Sequence, residues 1–411
     1  MREAHPVNPL APHLGHRLSP EAEAAVRELQ ASGRMSEFAT PDSAVLRRDP
    51  EHDRASVLRP AFVRDSDKIC HIPAYNRLAG KTQVFSFRSN DDLTRRGLHV
   101  QLVARIARDI SRALGLNVKL TEAIALGHDI GHTPFGHAGE RFLNDVYHSR
   151  TGRWFFHNVQ SVRVLDVLYG RNLALQTLDG VLCHNGEFEQ QVLEVGDVHD
   201  FVAFDQTVEE CWANGDARIR TLRPSTIEGC VVRVSDIIAY VGKDRQDAVS
   251  AHLLEPDAFA DGLGGAYNSW ALSTFGTDIV EHSLGKPRIE MSEEAFAEMR
   301  RAKRENYELI YGDAEVTGDL TDDVASIFHA LYETILDDIA AGREEAPVFR
   351  HHIVRLDEFL SHYGRRYEWQ SDPDLTAVDF ISSMTDDYFM QLAEHLFPEA
   401  AELFPRRGYF M

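Results

Sequence analysis

The sequence predicts a mainly α-helical protein, and three observations carry that expectation. Nearly every periodic apolar run repeats at about 3.6 residues, the spacing that lines one face of a helix. Strand-like alternation is confined to one short segment, TQVFSF at 82–87, read as a strand or hairpin arm. The densest patch of chemistry, Gly127 to Glu140, reads as a corner between two helices.

Taken in order, residues 1–60 read as an N-terminal arm and loop. The first twenty are rich in Pro and His and lack periodicity. Ser19 then caps a short helix, SPEAEAAVRELQAS. Pro41, Pro50 and Pro60 break residues 35–66 into loop. From Leu98 the pattern is helical, with His99, Leu102, Val103, Ile106, Ile110 and Ala113 on one stripe, which points His99 inward. Leu120, Ala123, Ile124, Gly127 and His128 share a face of the next helix, which stops at Gly131. Thr133 is expected to cap the helix after it, with Pro134 at the first position, where no amide hydrogen is needed. There His137 and Glu140 are three apart and share a face.

Two further helices, HNVQSVRVLDVLYG and LALQTLDGVLCHNGE, end near Gly170 and His184. Residues 188–222 lack clear periodicity and read as loop with short helices. Ser225 is expected to open a long helix, with Glu228 completing a capping box. Its apolar stripe is Ile227, Val231, Val234, Ile238 and Val241; Arg233, Asp236, Tyr240 and Asp244 form a separate polar stripe. Residues 255–290 read as loops. Ser292 starts a charged amphipathic helix, read as a solvated face or a subunit contact. Three helices follow, DDVASIFHALYETILDDI, FRHHIVRLDEFLSHY and AVDFISSMTDDYFMQLAEHLF, with the pair His351-His352 at the surface. The chain thus divides into the arm, a core over 61–255, and a C-terminal helical region over 256–411 packed on it.

At 411 residues the chain can bury a sizeable core. Its formal charge is 43 minus 65, or −22, which argues against nonspecific binding to nucleic acid or anionic membrane. The four cysteines are scattered without a CxxC pair and read as reduced, in a cytoplasmic protein. The N-terminus lacks an apolar h-region, and no run of about 18 apolar residues suggests a membrane span.

A metal held by protein alone needs several N and O donors converging from separate elements. His99, the adjacent pair His128-Asp129, and Asp236 are the candidates. Two imidazoles with two carboxylates suit Mn²⁺, Fe²⁺, Mg²⁺ or Zn²⁺. Such an ion acidifies water and polarises a phosphoryl oxygen. Any one of these residues alone reads as core or solvated face; only their combination makes a site.

These residues, His99, then His128-Asp129, then Asp236, resemble the H…HD…D pattern of HD-domain phosphohydrolases. NRLAGKTQVF, HDIGHTPFGHAGE, SDIIAYVGKD and DFISSMTDDY resemble blocks of the deoxynucleoside triphosphate triphosphohydrolases, the dGTPase-like family, over roughly residues 60–395. The resemblance implies a helical HD fold with extra C-terminal helices and a minor β hairpin. It implies metal-dependent hydrolysis of dNTPs to deoxynucleoside and inorganic triphosphate, a homo-oligomer, and a dNTP as allosteric activator. Carried over by position, the metal falls on His99, His128, Asp129 and Asp236. His137 and Glu140 become the catalytic histidine and acid, and His157 protonates the leaving group or binds phosphate. His132 and Arg96 stand near phosphate, Tyr240 and Asp244 at the sugar, Gln83 at sugar and base, and Arg77 with Lys81 supply local positive charge. Departures are GLHVQLV around His99, Ile237 where the family carries a carboxylate, and LCHNGE around His184. Two other readings stand beside this one: an HD nucleotidase or phosphodiesterase acting on another nucleotide, and a nucleotide-sensing HD protein. Missing ligands or a missing His137–Glu140 pair would favour the sensor; none is missing.

Overall fold

The computed structural model describes residues 17–185, 190–260, 262–263, 268–312, 322–404 and 406, so residues 1–16 of the expected N-terminal arm lie outside the described residues. Ser19 caps α1 (Pro20–Ser32) as expected, accepting from the Ala22 amide. Two short 3₁₀ turns follow, and then α2 (Ala61–Cys70), which starts inside the stretch read as loop. After α3 (Pro73–Arg77) comes TQVFSF, which is not a strand. Phe85, Ser86 and Phe87 are buried in succession, and Phe87 takes a left-handed φ of 59°, so no two-residue alternation exists. A lone bridge from Thr82 to Arg95 is all that remains of the pairing.

The next helices are α4 (Arg96–Ala113), α5 (Val118–Gly127), α6 (Gly136–Thr151), α7 (His157–Val162) and α8 (Leu175–Leu182). α5 is apolar on nearly every side and is wedged between α2, α4, α8 and the long helix described below. Asn117 caps it through its side-chain oxygen. Residues 201–222 are more ordered than their weak periodicity suggests. Asp200 caps α9 (Phe201–Asn214), which buries Phe204, Thr207 and Cys211 and is followed by α10 (Asp216–Ile219).

The centre of the molecule is α11 (Ile227–Ser250), 24 residues long and packed against α4, α5, α8 and the helix that follows it. Both expected stripes are buried except at Tyr240, which is half-buried; the polar one includes Arg233, which donates to the Leu222 carbonyl at 2.8 Å. The cap is Thr226 rather than Ser225. Ser225 turns back to Asp179, and no capping box forms. Glu228 instead reaches across the fold and accepts from the Thr40 amide, the Thr40 hydroxyl and the Asn117 amide, each at 2.9 Å. One buried carboxylate thereby ties the N-terminal loop and the start of α5 to α11.

Beyond it lie α12 (Asn268–Ser283), α13 (Glu293–Asn306), α14 (Asp322–Ala341), α15 (Val354–Ser361), α16 (Pro373–Ser382) and α17 (Asp386–Leu396). α12 occupies a stretch read as loop and packs on α11 and α4. The last expected helix is two helices, because the chain breaks at Ser383–Met384 and Thr385 recaps α17 at the Tyr388 amide. His351 is exposed, whereas His352 is buried against Tyr367 and Phe380. The two-stranded sheet joins β1 (Val192–Glu194) to β2 (Arg288–Glu290), antiparallel, with Leu193 opposite Ile289. It is built from segments distant in sequence, not from the hairpin anticipated near 82–87. One hydrophobic cluster runs from Val26 to Phe404. Among the described residues no helix is long and apolar enough to cross a membrane.

Glu228→Ala should leave three donors unsatisfied in the interior and cost about 3 kcal/mol. Urea denaturation with an unchanged slope checks it; a loss under about 1 kcal/mol would mean the tie is dispensable.

Candidate active site

The corner between α5 and α6 is shaped by close approach. A Cβ at Gly131 would come within 2.2 Å of the Ser161 nitrogen, so only glycine lets the turn press onto α7. The Gly131 amide donates to Ser161 Oγ at 2.9 Å, and that hydroxyl lies 2.6 Å from the His128 carbonyl. α6 begins later than the Thr133 cap and Pro134 start implied. Phe135 and Gly136 both take left-handed φ, at 59° and 58°, and Gly136 is the first helical residue. Thr133 donates to the Gly136 carbonyl instead of capping. The Phe135 amide donates to Asp386 Oδ1 at 3.0 Å, and the Thr82 amide to Oδ2 at 2.9 Å. Lys81 donates to the carbonyls of His132 and Ser382. The corner is thus held by residues from both ends of the chain.

Within that frame the four expected metal donors meet. His99 comes from α4, His128 and Asp129 from the end of α5, and Asp236 from the middle of α11; all are buried. His99 Nε2 lies 2.9 Å from Asp236 Oδ1. His128 Nε2 lies 3.7 Å from the same oxygen and 3.5 Å from Asp129 Oδ1. Donor atoms of His99, His128 and Asp236 all fall within 4.8 Å of one another, and so do those of His128, Asp129 and His184. His128 Nδ1 donates to the Ala125 carbonyl at 2.7 Å, which turns Nε2 into the cluster. That buried Nε2 has no hydrogen-bond partner among the described residues. An orphaned imidazole nitrogen beside two carboxylates is what a divalent cation would fit.

The charge balance agrees. Burial pulls the His128 imidazole down, but Asp129 and Asp236 outweigh it and it stands at about 9. Burial pushes Asp129 up, yet His128 and Arg96 hold it well below the carboxylate range. Asp236 is pushed up by burial and held down further by nearby His128 and by its contact with His99. The cluster gathers positive charge wherever the chain offers it. Arg96 does so directly, through Nη1 at 2.6 Å from Asp129 Oδ2, while its Nε and Nη2 are buried with no hydrogen-bond partner among the described residues.

Beside this centre a second group forms around Glu140. Its carboxylate takes His137 Nδ1 at 3.1 Å and His157 Nδ1 at 3.0 Å, and it accepts the His157 backbone amide at 2.7 Å. Burial pushes Glu140 up, but His157 and His137 hold it well below its ordinary value. His132 stacks flat on His157, with centroids 3.9 Å apart, and burial with nearby Arg96 pushes its imidazole far down, so it is neutral. His137 differs from its neighbours in having a side chain 58% exposed, so it is the imidazole of this group that is open to solvent.

The other expected residues fall farther out. Gln83 has a buried, unpartnered Oε1, and its carbonyl approaches Gly136. Arg77 donates to the Ser383 carbonyl at 3.3 Å. Asp244 accepts from the Tyr311 hydroxyl at 2.6 Å, and burial pushes it up to about 7. Tyr240 is half-buried one turn before it on α11. The structure therefore joins ten candidates, Arg96 and His184 included, around the corner, and leaves Arg77 and Asp244 engaged elsewhere. His184 was visible in sequence only as a departure from a pattern. Its signal was a parallel: like His128, it ends an apolar helix and donates Nδ1 to the carbonyl three residues back, Val181, at 2.7 Å. Asp386 and Ser161 had no local signal.

Comparison with known proteins places these observations in a family context. The HD domain family matches over residues 96–240. A protein of Caldanaerobacter subterraneus subsp. tengcongensis is 32% identical over 370 residues, covering 88% of this chain and 92% of the relative. One of Desulfatibacillum aliphaticivorans is 31% identical over 375 residues, covering 88% and 94%. One of Clostridium perfringens is 32% identical over 346 residues, covering 80% and 85%. Each is named a deoxyguanosinetriphosphate triphosphohydrolase-like protein.

A carboxylate held below its unfolded value stabilises the fold above that value and loses the contribution as pH falls. For Glu140 the unfolded value is near 4.5, so stability should decline as pH drops from 5 toward 3. Glu140→Gln should flatten that acid limb in denaturation series at fixed salt; an unchanged limb would remove the carboxylate from its place between the two imidazoles.

Proposed function

Because this chain belongs to the deoxyguanosinetriphosphate triphosphohydrolase-like family of HD-domain proteins, we propose that it is a hydrolase that cleaves dNTPs, dGTP among them, into deoxynucleoside and inorganic triphosphate. The observation that carries this reading is the proximity of two groups: a donor set for one divalent cation, and an acid/base couple built on Glu140. Water adds to the α-phosphorus, the bond from that phosphorus to O5′ breaks, and O5′ takes a proton. A Mn²⁺, Mg²⁺ or Fe²⁺ ion on His99, His128, Asp129 and Asp236, with Zn²⁺ as the other candidate, supplies polarisation of the phosphoryl oxygen and acidification of water when bound.

This chain's own groups do the rest. Arg96 offers Nε and Nη2 to phosphate while Nη1 stays with Asp129. His137 handles the proton, oriented through Nδ1 by Glu140. His157 and His132, stacked and buried, stand on the phosphate side. Tyr240 takes the sugar with Asp244, which trades its bond from the Tyr311 hydroxyl for one from the substrate, and Gln83 takes the sugar and base; Arg77 and Lys81, which donate to the Ser383, His132 and Ser382 carbonyls, brace the corner rather than meet the triphosphate. We assign the protein to the cytoplasm as a homo-oligomer whose activity responds to a dNTP activator.

Incubation with each dNTP and Mn²⁺, followed by ion chromatography, should give inorganic tripolyphosphate in step with deoxynucleoside. Pyrophosphate or orthophosphate as the primary product would replace this reading with another phosphohydrolase activity. Glu140→Ala should lower kcat by roughly 10²–10⁴-fold while metal content stays at the wild-type level. Loss of metal in that variant would instead make Glu140 part of the metal centre.

A further inference from the structure

The apolar stripe of α4 is not fully covered. Leu102, Ile106 and Ala113 are only partly buried, and with Leu272 of α12 they line a groove of about 450 Å³ that Ala239 of α11 also lines. The same two helices, α4 and α11, carry His99 and Asp236. Leu18, from the chain just before α1, reaches into this groove. Ser19 fixes the chain beside it: its amide and its hydroxyl donate to the two carboxylate oxygens of Glu281 on α12, at 2.9 and 2.5 Å. Residues 1–16 therefore join the described chain at the groove. Along α4 the groove runs from Leu102 to Ala113, about 16 Å at the helical rise, which about five extended residues span.

We propose that the groove between α4 and α12 is a docking surface for the N-terminal arm of this same chain, residues 1–16, seated as an extended strand that continues from Leu18. The sequence of the arm suits such a cleft. Pro6, Pro9 and Pro12 favour a polyproline conformation, in which residues three apart share a side, as Val7 and Leu10 do. Glu3 is the one acid among residues 1–17, in a chain of net charge −22, so the arm brings little negative charge against an acidic surface. A second copy of the folded chain would bring the full acidic surface instead. Seated there, the arm covers the exposed part of the α4 stripe and braces α4 against α11 and α12, behind the donors on α4 and α11. This docking holds whichever bond the enzyme cleaves.

Photo-cross-linking of the full chain tests it. The photoreactive residue p-benzoylphenylalanine is placed at Asn8 in one sample and at Leu10 in another, and each is mixed with an equal amount of the same protein labelled with heavy nitrogen. Mass spectrometry after illumination should find links from the arm to α4 or α12, within single chains of uniform label. Links only to other surfaces, or none from either position, overturn the proposal. Links that join light to heavy chains also overturn it and give the groove to a second copy. A Cβ at Gly276 of α12 meets nothing within 4 Å, so Gly276→Trp should fill the groove and abolish the links, whereas Gly276→Ala should keep them. Links to α4 or α12 that persist in folded Gly276→Trp would place the arm outside the groove. If that variant does not fold, the links in the chain with Gly276 decide.

Discussion

Burying two carboxylates with two imidazoles at the end of an apolar helix is the constraint on which the rest of the structure depends. Asp129 and Asp236 are almost wholly removed from water, and ionised groups in such surroundings are costly unless paired. Arg96 and His99 answer part of that charge. The orphaned His128 Nε2 shows where the pairing is incomplete. A divalent ion on these residues would complete it, and ion binding would then be coupled to local stability.

The neighbouring Glu140 group follows from how α6 is aimed. Phe135 and Gly136 turn the chain sharply, and Phe135 is pinned by rings from Phe87 and Phe389 and by its amide bond to Asp386. That entry angle sets His137 and Glu140 on the face toward His157. One carboxylate then orients two imidazoles with different exposures, an open one on His137 and a more closed one, that of His157, stacked on His132. The C-terminal helices contribute to the chemistry indirectly: Asp386 and the Ser382 carbonyl anchor the corner through Phe135, Thr82 and Lys81.

Much of this was legible in the sequence. α4, α5 and α11 were visible because each carries a long stripe at helical spacing, and the four candidate donors stand on or beside those stripes. What escaped depends on partners far along the chain. The turn to α6 is anchored by Asp386 at the Phe135 amide, so Thr133 and Pro134, strong local signals, do not decide where the helix begins. Ser225 lost the cap of α11 because Asp179 holds it, and Glu228 was drawn to Thr40 and Asn117. TQVFSF failed as a strand because both faces are buried and Phe87 bends the backbone. α12 was missed because its glycine and serines mask a face that only packing on α11 and α4 stabilises. Residue chemistry survives reading one position at a time; capping and strand pairing here do not.

The central claim is that His99, His128, Asp129 and Asp236 share one cation. Anomalous diffraction from crystals grown with Mn²⁺ tests it most directly. The account predicts a peak at about 2.0–2.3 Å from His99 Nε2, His128 Nε2 and an oxygen of each aspartate. A bound ion that leaves the His99–Asp236 contact intact and His128 Nε2 unligated would contradict it.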